Sequence, residues 1–415
     1  MRDLPIRDLP VLGIAPADGR TPLVFCWGVS SFFGWGVNGL NLALALADHP
    51  LFAPVAGQVF SMDDLVLDPL REARVIPLLA RSRDVWAALA STAEPALEVE
   101  APVLSGIGRD FAGAGDAAHG RKLRGNPQVG VAFLEEATLS PEGRARARDF
   151  ALVIAGSSWN ERVLRANGIH AATTVLQGID TSLFHPAPRA GSLGEGRFVV
   201  FSGGKLELRK GQDLALAAFR AFHRRHPEAL LLTAWHSPWS DLMNDAVAHP
   251  GLVPPNATAE GVPDVVGWAV ANGIPADSVI AIGPTPNIAM PHVIREADVA
   301  LFPNRSEGGT NLVAMECMAC GIPTILSANT GHLDLLRTPG IALPLTRQGP
   351  VIRAGLDTTD WGESDVEEAV EALETVWRNR EAARAMGGRA ARFMAGMDWR
   401  RQTALLLRAI EPLLP

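Results

Sequence analysis

The chain has 415 residues, of which 47% are hydrophobic and 20% are charged, and its formal net charge at pH 7 is -8. This length and apolar content indicate two or three globular domains, and the acidic balance excludes a general electrostatic attraction to nucleic acid or anionic lipid. Three cysteines in so long a chain argue against a disulfide framework and favour a reducing compartment, so we expect a cytoplasmic protein. The N-terminal segment lacks the apolar core of a signal peptide, and no run of about 18 apolar residues predicts a membrane span.

Short apolar runs alternate with amphipathic stretches along the chain, which is typical of parallel sheets covered by helices on both faces. In the first half the candidate strands are Pro22–Trp27, Phe52–Gln58, Arg74–Leu78, Pro102–Leu104, Val129–Phe133, Phe150–Ile154 and Ala172–Leu176. Helices are predicted between several of them, for example at Val37–Asp48 and Ser158–Ala166. In the second half the candidate strands are Phe198–Phe201, Ala229–Thr233, Val279–Ile282, Asp298–Phe302 and Ile322–Leu326. The predicted fold class is therefore α/β, with two doubly wound Rossmann-like domains.

A segment rich in proline and glycine, His185–Arg197, separates the two halves and is interpreted as a linker. We therefore predict an N-terminal domain at residues 1–185, a second domain at 186–395 and a last helical segment at 396–415. Ligands of open parallel sheets bind outside the carboxyl ends of the strands, so two such domains predict a substrate site in a cleft between them.

The first candidate motif follows the strand Phe198–Phe201. Two glycines, Gly203 and Gly204, precede a loop that contains Lys205 and Lys210, and a helix follows. Glycines let the backbone approach a ligand closely, and lysines place point charges near phosphate oxygens. The alternative is an ordinary turn between a strand and a helix, with both lysines in solvent.

The second motif spans Asn304–Pro323 and follows the strand Asp298–Phe302. Its glycine-rich loop leads into a helix that we expect to begin near Thr310 or Asn311, since both residues are good N-caps. The N–H groups at such a helix start favour an anion such as a diphosphate. Glu307 precedes the loop and Glu316 lies in the helix, where carboxylates can accept hydrogen bonds from sugar or ribose hydroxyls. The alternative is a capped helix with a surface glutamate.

These motifs resemble family 4 of the glycosyltransferases. The resemblance rests on Gly204–Gly211, the segment from Glu307 to Glu316, Ala319–Pro323, Gly178–Pro186, Ala155–Leu164 and the pair Asp398-Trp399. It covers roughly residues 125 to 410 and is most specific in the second half. The resemblance implies the GT-B fold, in which two Rossmann-like domains face each other across a cleft and a C-terminal helix returns to the first domain. It also implies that the anomeric configuration is retained.

The resemblance also implies roles for individual residues. Lys205 and Lys210 would bind the donor diphosphate, Glu307 would face the donor sugar, and Glu316 would hold the nucleotide ribose. The first three are the candidate catalytic residues, and the donor-binding set is Gly203, Gly204, Gly308, Gly309, Thr310, Asn311, Leu312 and Glu316. Lys205 stands where the family usually has arginine, which removes a bidentate contact to phosphate. Eight residues separate the two glutamates, where the family usually has seven, so we expect the loop to bulge by one residue.

The implied activity is transfer of a hexose-type sugar from a nucleoside-diphosphate sugar to a glycan, lipid-linked or small-molecule acceptor. No cofactor beyond the donor is implied, no obligatory metal is expected because the sequence has no Asp-x-Asp motif, and membrane contact would be peripheral at most. Two other functions are open: a nucleotide-sugar-binding protein without turnover, and a nicotinamide-dependent oxidoreductase.

The oxidoreductase alternative comes from the segment Gly34–Gly39, whose sequence spells G-x-G-x-x-G. The preceding strand ends well before this segment, and Gln58 stands where a dinucleotide-binding domain needs an acidic residue. We therefore expect Gly34 and Gly36 to lie in a glycine-rich loop that opens the helix Val37–Asp48 into the cleft.

Weaker signals have two interpretations each. Glu135 or Glu136 reaches the cleft or caps a helix, and His236 lies near the donor or in an ordinary loop. The Cys317–Cys320 pair spells C-x-x-C, but only Cys26 is left elsewhere, so core packing is favoured over a four-cysteine zinc site.

Overall fold

The computed structural model describes residues 9–14, 19–193, 196–236, 248–258 and 262–414. The chain forms two compact units: unit 1 comprises Met1–Gly178 and Trp399–Pro415, and unit 2 comprises Ile179–Asp398. None of the helices in the described ranges has the length and apolar content to cross a membrane.

The segment 179–185, which the sequence assigned to the first domain, belongs to unit 2. The Ile179 N–H donates to the Met397 carbonyl over 2.9 Å. The guanidinium of Arg295 donates to the carbonyls of Leu183 and His185 over 2.9 and 3.0 Å. These hydrogen bonds hold the segment on unit 2, so the chain passes from unit 1 to unit 2 before the predicted linker.

Unit 1 contains nine of the described strands, numbered here in chain order: β1 (Val11–Leu12), β2 (Thr21–Cys26), β3 (Phe52–Ala56), β4 (Ala96–Val99), β5 (Val103–Ile107), β6 (Lys122–Gly125), β7 (Gln128–Ala132), β8 (Leu152–Ala155) and β9 (Ala172–Thr174). Its helices are α1 (Gly34–Leu46), α2 (Pro69–Ser91), α3 (Pro141–Ala147), α4 (Ser158–Ala166) and α12 (Trp399–Ile410). The main sheet is parallel, with the order β3-β2-β5-β7-β8-β9, and a second parallel sheet has the order β1-β4-β6. The C-terminal helix α12 contributes Leu406, Leu407 and Ile410 to the core of this unit, as the GT-B fold predicts.

The predicted strand Arg74–Leu78 is wrong, because this segment lies inside α2. Asp68 caps the helix by accepting hydrogen bonds from the N–H groups of Leu70 and Arg71, and Pro69 occupies the first turn, where its missing N–H costs nothing. The buried residues then recur at helical spacing: Val75, Leu78, Ser82, Val85, Trp86 and Leu89. The helical spacing of the buried residues extends over the whole segment and therefore favours a helix, although the short run around Pro77 is apolar enough for a strand.

Unit 2 contains β10 (Phe198–Gly204), β11 (Ala229–Trp235), β12 (Val279–Ala281), β13 (Val299–Phe302), β14 (Thr324–Ser327), β15 (Leu343–Leu345), β16 (Gln348–Pro350) and β17 (Gly362–Ser364). Its helices are α5 (Gln212–His223), α6 (Val265–Ala271), α7 (Met290–Ile294), α8 (Leu312–Ala319), α9 (Leu333–Leu336), α10 (Val366–Arg378) and α11 (Arg380–Met394). Six strands form a parallel sheet with the order β12-β11-β10-β13-β14-β15, and β16 and β17 form an antiparallel pair.

The strand order of unit 2 reverses between β10 and β13. From β10 the chain moves to β11 and β12 on one side, and β13, β14 and β15 lie on the other. The two strands are hydrogen-bonded neighbours, with Val200 opposite Val299 and Phe201 opposite Ala300. The loops that leave their carboxyl ends therefore begin side by side, and such a switch point is where doubly wound sheets bind ligands.

Candidate functional site

The two loops at the switch point of unit 2 touch each other closely. The loop after β10 contains Lys205 and a short 3-10 turn, Leu208–Lys210, and the loop after β13 leads from Pro303 to α8. Gly211 has a φ of 65°, and a Cβ built on it would lie 2.3 Å from the carbonyl oxygen of Pro303. Only glycine allows this approach, so Gly211 sets how closely the predicted lysine motif lies to the predicted glutamate motif.

Glu307 lies at the centre of these two loops, with an exposed fraction of 4%. Lys210 Nζ is 2.5 Å from Glu307 Oε1, and Arg209 Nη1 is 3.3 Å from Oε2. The side-chain amide of Asn304 also donates to the carboxylate. Burial alone would raise the pKa of Glu307, but the charges of Lys210 and Arg209 outweigh it and lower the pKa to about 2. Glu307 is therefore ionised at neutral pH, and the structure places Lys210 beside it, while the predicted roles of both residues towards a donor stay predictions.

Arg305 fixes the two loops to each other, a role that its sequence context did not indicate. Its Nη1 and Nη2 atoms each lie 2.8 Å from an oxygen of Asp213, and Nη1 also donates to the Leu208 carbonyl over 2.8 Å. Its Nε donates to Glu363 Oε2 over 2.7 Å. The Arg305 side chain is fully buried, so this two-point ion pair, made in a region from which water is excluded, ties α5 and the 3-10 turn to the loop that carries Glu307.

The start of α8 is held by Asn311, which has a left-handed φ of 63°. Its side-chain oxygen accepts a hydrogen bond from the Ala314 N–H, and its side-chain nitrogen lies 3.1 Å from Nε2 of His332. His332 is fully buried, with Nδ1 at 2.9 Å from Ser327 Oγ. Burial lowers the pKa of His332 to about 4, so the ring is neutral and Nε2 accepts from Asn311. Asn311 is asparagine at a position where a left-handed backbone is needed, and this conformation lets the chain turn into the helix after the long loop.

A segment after β14, Asn329–His332, supports the loop from the other side. Thr330 Oγ1 accepts a hydrogen bond from the Glu307 N–H over 2.8 Å, and the Gly331 N–H donates to the Glu307 carbonyl over 3.0 Å. A Cβ on Gly331 would lie 1.7 Å from the carbonyl oxygen of Gly309, so the two glycines meet backbone to backbone. The sequence analysis missed this segment, although it follows the carboxyl end of a strand next to β13, where ligand-facing loops are expected.

Glu316 lies in α8 and is also buried, with an exposed fraction of 4%. Its Oε1 accepts a hydrogen bond from the side-chain amide of Asn287 over 2.7 Å. Burial raises the pKa of Glu316 to about 8, and the hydrogen bond opposes this only in part. At neutral pH Glu316 is therefore mostly protonated, in contrast to Glu307.

The remaining predicted donor-side residues lie around this pair of loops. Lys205 follows the last residue of β10, is half-buried, and accepts a hydrogen bond from Gln212 on its carbonyl over 2.5 Å. A Cβ on Gly203 would lie 2.9 Å from a methyl group of Val313, which brings the end of β10 against the start of α8. The others occupy one segment that leads into α8: Gly308, Gly309, Thr310 and Leu312.

The prediction that Gly34 and Gly36 lie in a loop is wrong, because α1 already begins at Gly34. A Cβ on Gly36 would lie 2.4 Å from the Cβ of Ser30, and a Cβ on Gly39 would lie 2.5 Å from the carbonyl oxygen of Gly28. These glycines let the loop after β2 lie flat against the first turns of the helix. They are explained by packing within unit 1, and whether they contact a substrate stays a prediction.

The carboxyl edge of the unit 1 sheet carries an aromatic cluster. Trp27 follows β2, Phe133 follows β7, and Trp35 on α1 lies between them, with ring centroids 5.5 Å from Trp27 and 4.9 Å from Phe133. A cavity of about 40 Å³ lies below it, lined in part by Trp27, Asn38 and Gln402. This volume suits one or two water molecules and is too small for a sugar.

The weaker candidates are placed as follows. Glu136 pairs with Arg109 over 2.9 Å. His236 is half-buried, burial lowers its pKa, and residues 237–239 after it lie outside the described residues. Cys317 and Cys320 are buried free thiols on and just after α8. Among the residues that the structure describes, no three His, Cys, Asp or Glu side chains are grouped as metal ligands.

Two sequence comparisons agree with the glycosyltransferase resemblance that the motifs indicate. A family model described as family 4 glycosyltransferase in conflict systems matches residues 287–406. D-inositol 3-phosphate glycosyltransferase of Nocardia farcinica is 28% identical over 230 residues, which are 54% of this chain and 44% of the relative. The chain thus spans less than half the length of that curated relative.

Solved structures match almost the whole chain. Sucrose-phosphate synthase from Thermosynechococcus elongatus aligns with a TM-score of 0.62 at 15% identity, over 95% of this chain and 99% of that chain. Anabaena Alr3699/HepE, solved in complex with UDP and glucose, aligns with a TM-score of 0.61 at 13% identity, over 95% and 100%. At these identities the likeness shows the fold alone. The predicted fold is confirmed: the chain has the GT-B fold, and over residues 287–406 it is similar to the family 4 glycosyltransferases.

Proposed function

We propose that the chain transfers a sugar from a nucleoside-diphosphate sugar to an acceptor, with retention of anomeric configuration. One observation carries the proposal: the ion pair between Lys210 and Glu307 lies at the switch point of unit 2, next to the start of α8. A cation for phosphate, a carboxylate for sugar hydroxyls and a helix N-terminus therefore share one cluster of loops.

The leaving group in this reaction is a nucleoside diphosphate, on which negative charge grows as the bond to the sugar breaks. We assign its stabilisation to Lys210, to Lys205 and to the N–H groups of the loop from Gly308 to Leu312. The backbone N–H groups are fixed by the fold before the donor arrives, whereas the two lysine side chains can turn towards the phosphates, and preorganised dipoles of this kind are often the largest contribution to catalysis. The reaction is proposed to need no obligatory metal, because these groups supply the positive charge.

The two glutamates are proposed to act on different parts of the donor. Glu307 is ionised and so offers only acceptors, which suits the hydroxyl groups of the donor sugar. Glu316 is protonated in the nucleotide-free protein and can both donate and accept a hydrogen bond, which suits the paired hydroxyls of a ribose.

The similar proteins suggest which substrates to test first. Anabaena HepE was solved with UDP and glucose, so UDP-glucose is the first donor, followed by GDP- and ADP-sugars. The Nocardia relative is named for an inositol phosphate, so a polyol phosphate is the first acceptor, followed by glycan and lipid-linked acceptors.

The test has two stages and uses the full chain. Thermal shift against UDP, GDP and ADP and their sugars identifies the nucleotide, and release of the diphosphate is then measured with and without each acceptor. Lys210→Ala should weaken donor binding roughly tenfold to a hundredfold, since a charged hydrogen bond contributes about 1.5–3 kcal/mol. Lys122→Ala is the matched control, because Lys122 lies on β6 of unit 1 and pairs with Asp116.

Several outcomes would contradict the proposal. Nucleotide binding without any diphosphate release, with every acceptor and with water, would indicate a binding protein without turnover. Equal kinetics of Lys210→Ala and wild type would refute the phosphate assignment. Inverted stereochemistry in the product would refute retention, and loss of activity in EDTA that Mg²⁺ restores would refute independence from metal.

A further inference from the structure

Arg209 precedes Lys210 in the 3-10 turn and lies between two carboxylates. Its Nη2 is 2.5 Å from Glu207 Oε1, and its Nη1 is 3.3 Å from Glu307 Oε2. Its exposed fraction is 9%. Neither the lysine motif nor the resemblance assigned this residue a role.

The backbone of Arg209 is fixed as well as its side chain. Its carbonyl oxygen accepts hydrogen bonds from the N–H groups of Arg305 and Ser306 over 2.7 and 3.2 Å. Arg305 is in turn anchored by Asp213. Because both ends of Arg209 are held, its guanidinium keeps its place while the more flexible Lys210 ammonium can turn towards a ligand.

We infer that Arg209 is a positioning residue: it is a fixed counter-cation that keeps Glu307 ionised after the donor diphosphate has attracted Lys210. The inference rests on the proposed function. A diphosphate next to Glu307 adds negative charge close to a buried carboxylate, and like charges at short distance favour protonation of one of them. A protonated Glu307 would lose acceptor capacity towards the donor sugar.

The groups that face Glu307 show why Arg209 is needed. Lys210 and Arg209 contribute positive charge, and the Asn304 amide donates a neutral hydrogen bond to the carboxylate, while Thr330 accepts one from the Glu307 N–H. His332 lies close enough to Glu307 for a charge on its ring to change the pKa of the carboxyl, but burial keeps the ring neutral. Once phosphate shares the charge of Lys210, Arg209 is the cation that stays with Glu307 while it also pairs with Glu207, and a guanidinium does not lose its proton.

The geometry also distinguishes the role of Arg209 from that of the lysines assigned to the phosphates. Its guanidinium spans two carboxylates with two nitrogen atoms, which a single lysine nitrogen would not reproduce. We therefore expect Arg209→Met to leave the affinity for free nucleoside diphosphate within about threefold of wild type, whereas Lys210→Ala lowers it by roughly tenfold or more.

The test measures protons taken up when UDP, GDP or ADP binds, by calorimetry near pH 6 in two buffers of different ionisation enthalpy. Wild type and Arg209→Met are compared, so protons exchanged by the nucleotide itself cancel. In Arg209→Met, Glu307 should become protonated on binding, with an uptake on the order of half a proton more per nucleotide than in wild type. Adding Glu307→Gln to Arg209→Met should abolish this extra uptake.

Turnover gives a second measurement. In Arg209→Met the acidic limb of the kcat profile, which reports the donor-bound complex, should move up by about one pH unit or more, with activity recovering towards wild type at alkaline pH. Arg209→Lys should move the acidic limb part of the way back towards its wild-type position. Glu207→Gln should leave the acidic limb where it is in wild type, because the guanidinium remains beside Glu307. Wild-type-like melting of each variant confirms folding.

The other possible results of these experiments each contradict either the proposed function or the inference about Arg209. Failure of wild type to bind any of the three nucleotides overturns the proposed function and this inference with it. Binding by Arg209→Met without extra proton uptake, or a loss of activity that is equal at every pH, overturns the inference alone. A loss of nucleotide affinity as large as that of Lys210→Ala would make Arg209 a phosphate ligand and also overturn it.

Discussion

Replacing Glu316 with glutamine is expected to stabilise the protein at neutral and alkaline pH. Glu316 is buried in α8, where its carboxyl faces the side-chain amide of Asn287, whereas the carboxylate of Glu307 faces the ammonium of Lys210. Glutamine has nearly the shape of the protonated side chain and can accept the same hydrogen bond from Asn287. The substitution therefore keeps the contact and removes the titration.

The magnitude follows from the two pKa values of Glu316. In the unfolded chain the carboxyl has its ordinary pKa of 4.5, and in the folded protein burial raises it to about 8. Between these values the unfolded chain has released the proton and the folded protein keeps it, so the free energy of unfolding falls as the pH rises. Each pH unit costs about 1.4 kcal/mol, which makes roughly 5 kcal/mol across the window. The loss is absent below pH 4.5 and complete above about pH 8.

The assay is urea unfolding followed by tryptophan fluorescence at about pH 5, 7 and 9, on wild type and Glu316→Gln. The two proteins should be nearly equal at the lowest pH, and the variant should be more stable by several kcal/mol at the highest. Glu381→Gln is the control, because this carboxyl is exposed on α11. Parallel stability profiles of Glu316→Gln and wild type would refute the reasoning, since they would mean that Glu316 ionises in the folded protein as it does in the unfolded chain.

Two further substitutions test how the site and unit 1 are packed. Arg305→Met leaves the buried carboxylate of Asp213 without its guanidinium and should lower the free energy of unfolding by about 3–5 kcal/mol, whereas Lys122→Met, which breaks an exposed pair with Asp116, should cost about 1 kcal/mol or less; equal losses in urea unfolding would contradict this. Gly36→Val should cost about 1–3 kcal/mol, because its Cβ would lie 2.4 Å from a serine Cβ, while Gly34→Ala meets nothing within 4 Å and should be neutral or stabilising. Similar melting temperatures of these two variants would show that the loop after β2 is not packed against α1.

Five strands of the second half, β10 to β14, could be predicted because they lie in apolar runs, whereas β15 was missed. Phe198–Gly204 and Ala229–Trp235 are continuous apolar runs, and so are the shorter strands beside them. The helix Ser158–Ala166 was predicted with the bounds that the structure gives, since Ser157 caps it and its polar and apolar residues alternate at helical spacing. Gln348–Pro350 and Gly362–Ser364 were missed, because glycine and proline in short polar segments do not indicate strands.

The sequence predicted those residues of the candidate site that stand in a motif of neighbouring residues, and it missed those that depend on partners far along the chain. Lys210 and Glu307 each stand in a recognisable loop, and the order of parallel strands brings these loops together. Arg305 carries no such signal, because its burial depends on Asp213, a residue 92 positions away in the sequence. A lone arginine in a loop is ordinarily exposed, so only the three-dimensional structure shows that this one connects the two motifs.

The start of the helix shows a second limit of the sequence. Thr310 and Asn311 were both acceptable caps, and the structure selects Asn311. The choice depends on His332, which lies 21 residues further along and holds the asparagine side chain. The extra residue between the two glutamates could be counted from the sequence, and the expected bulge of the loop stays a prediction.

Glu307 and Glu316 are the same residue type, equally buried and nine positions apart, yet one is ionised and the other is protonated at neutral pH. Burial acts on both in the same direction. The difference comes from what the fold places opposite each carboxyl: Lys210 and Arg209 face Glu307, and the amide of Asn287 faces Glu316. Each partner belongs to a loop at the carboxyl edge of the unit 2 sheet or leads from one, so the strand order that creates the switch point also sets the charge of each glutamate. The sequence motif and the family resemblance identified the pair, and the partners that the parallel sheet places opposite each carboxyl give the two glutamates different charges.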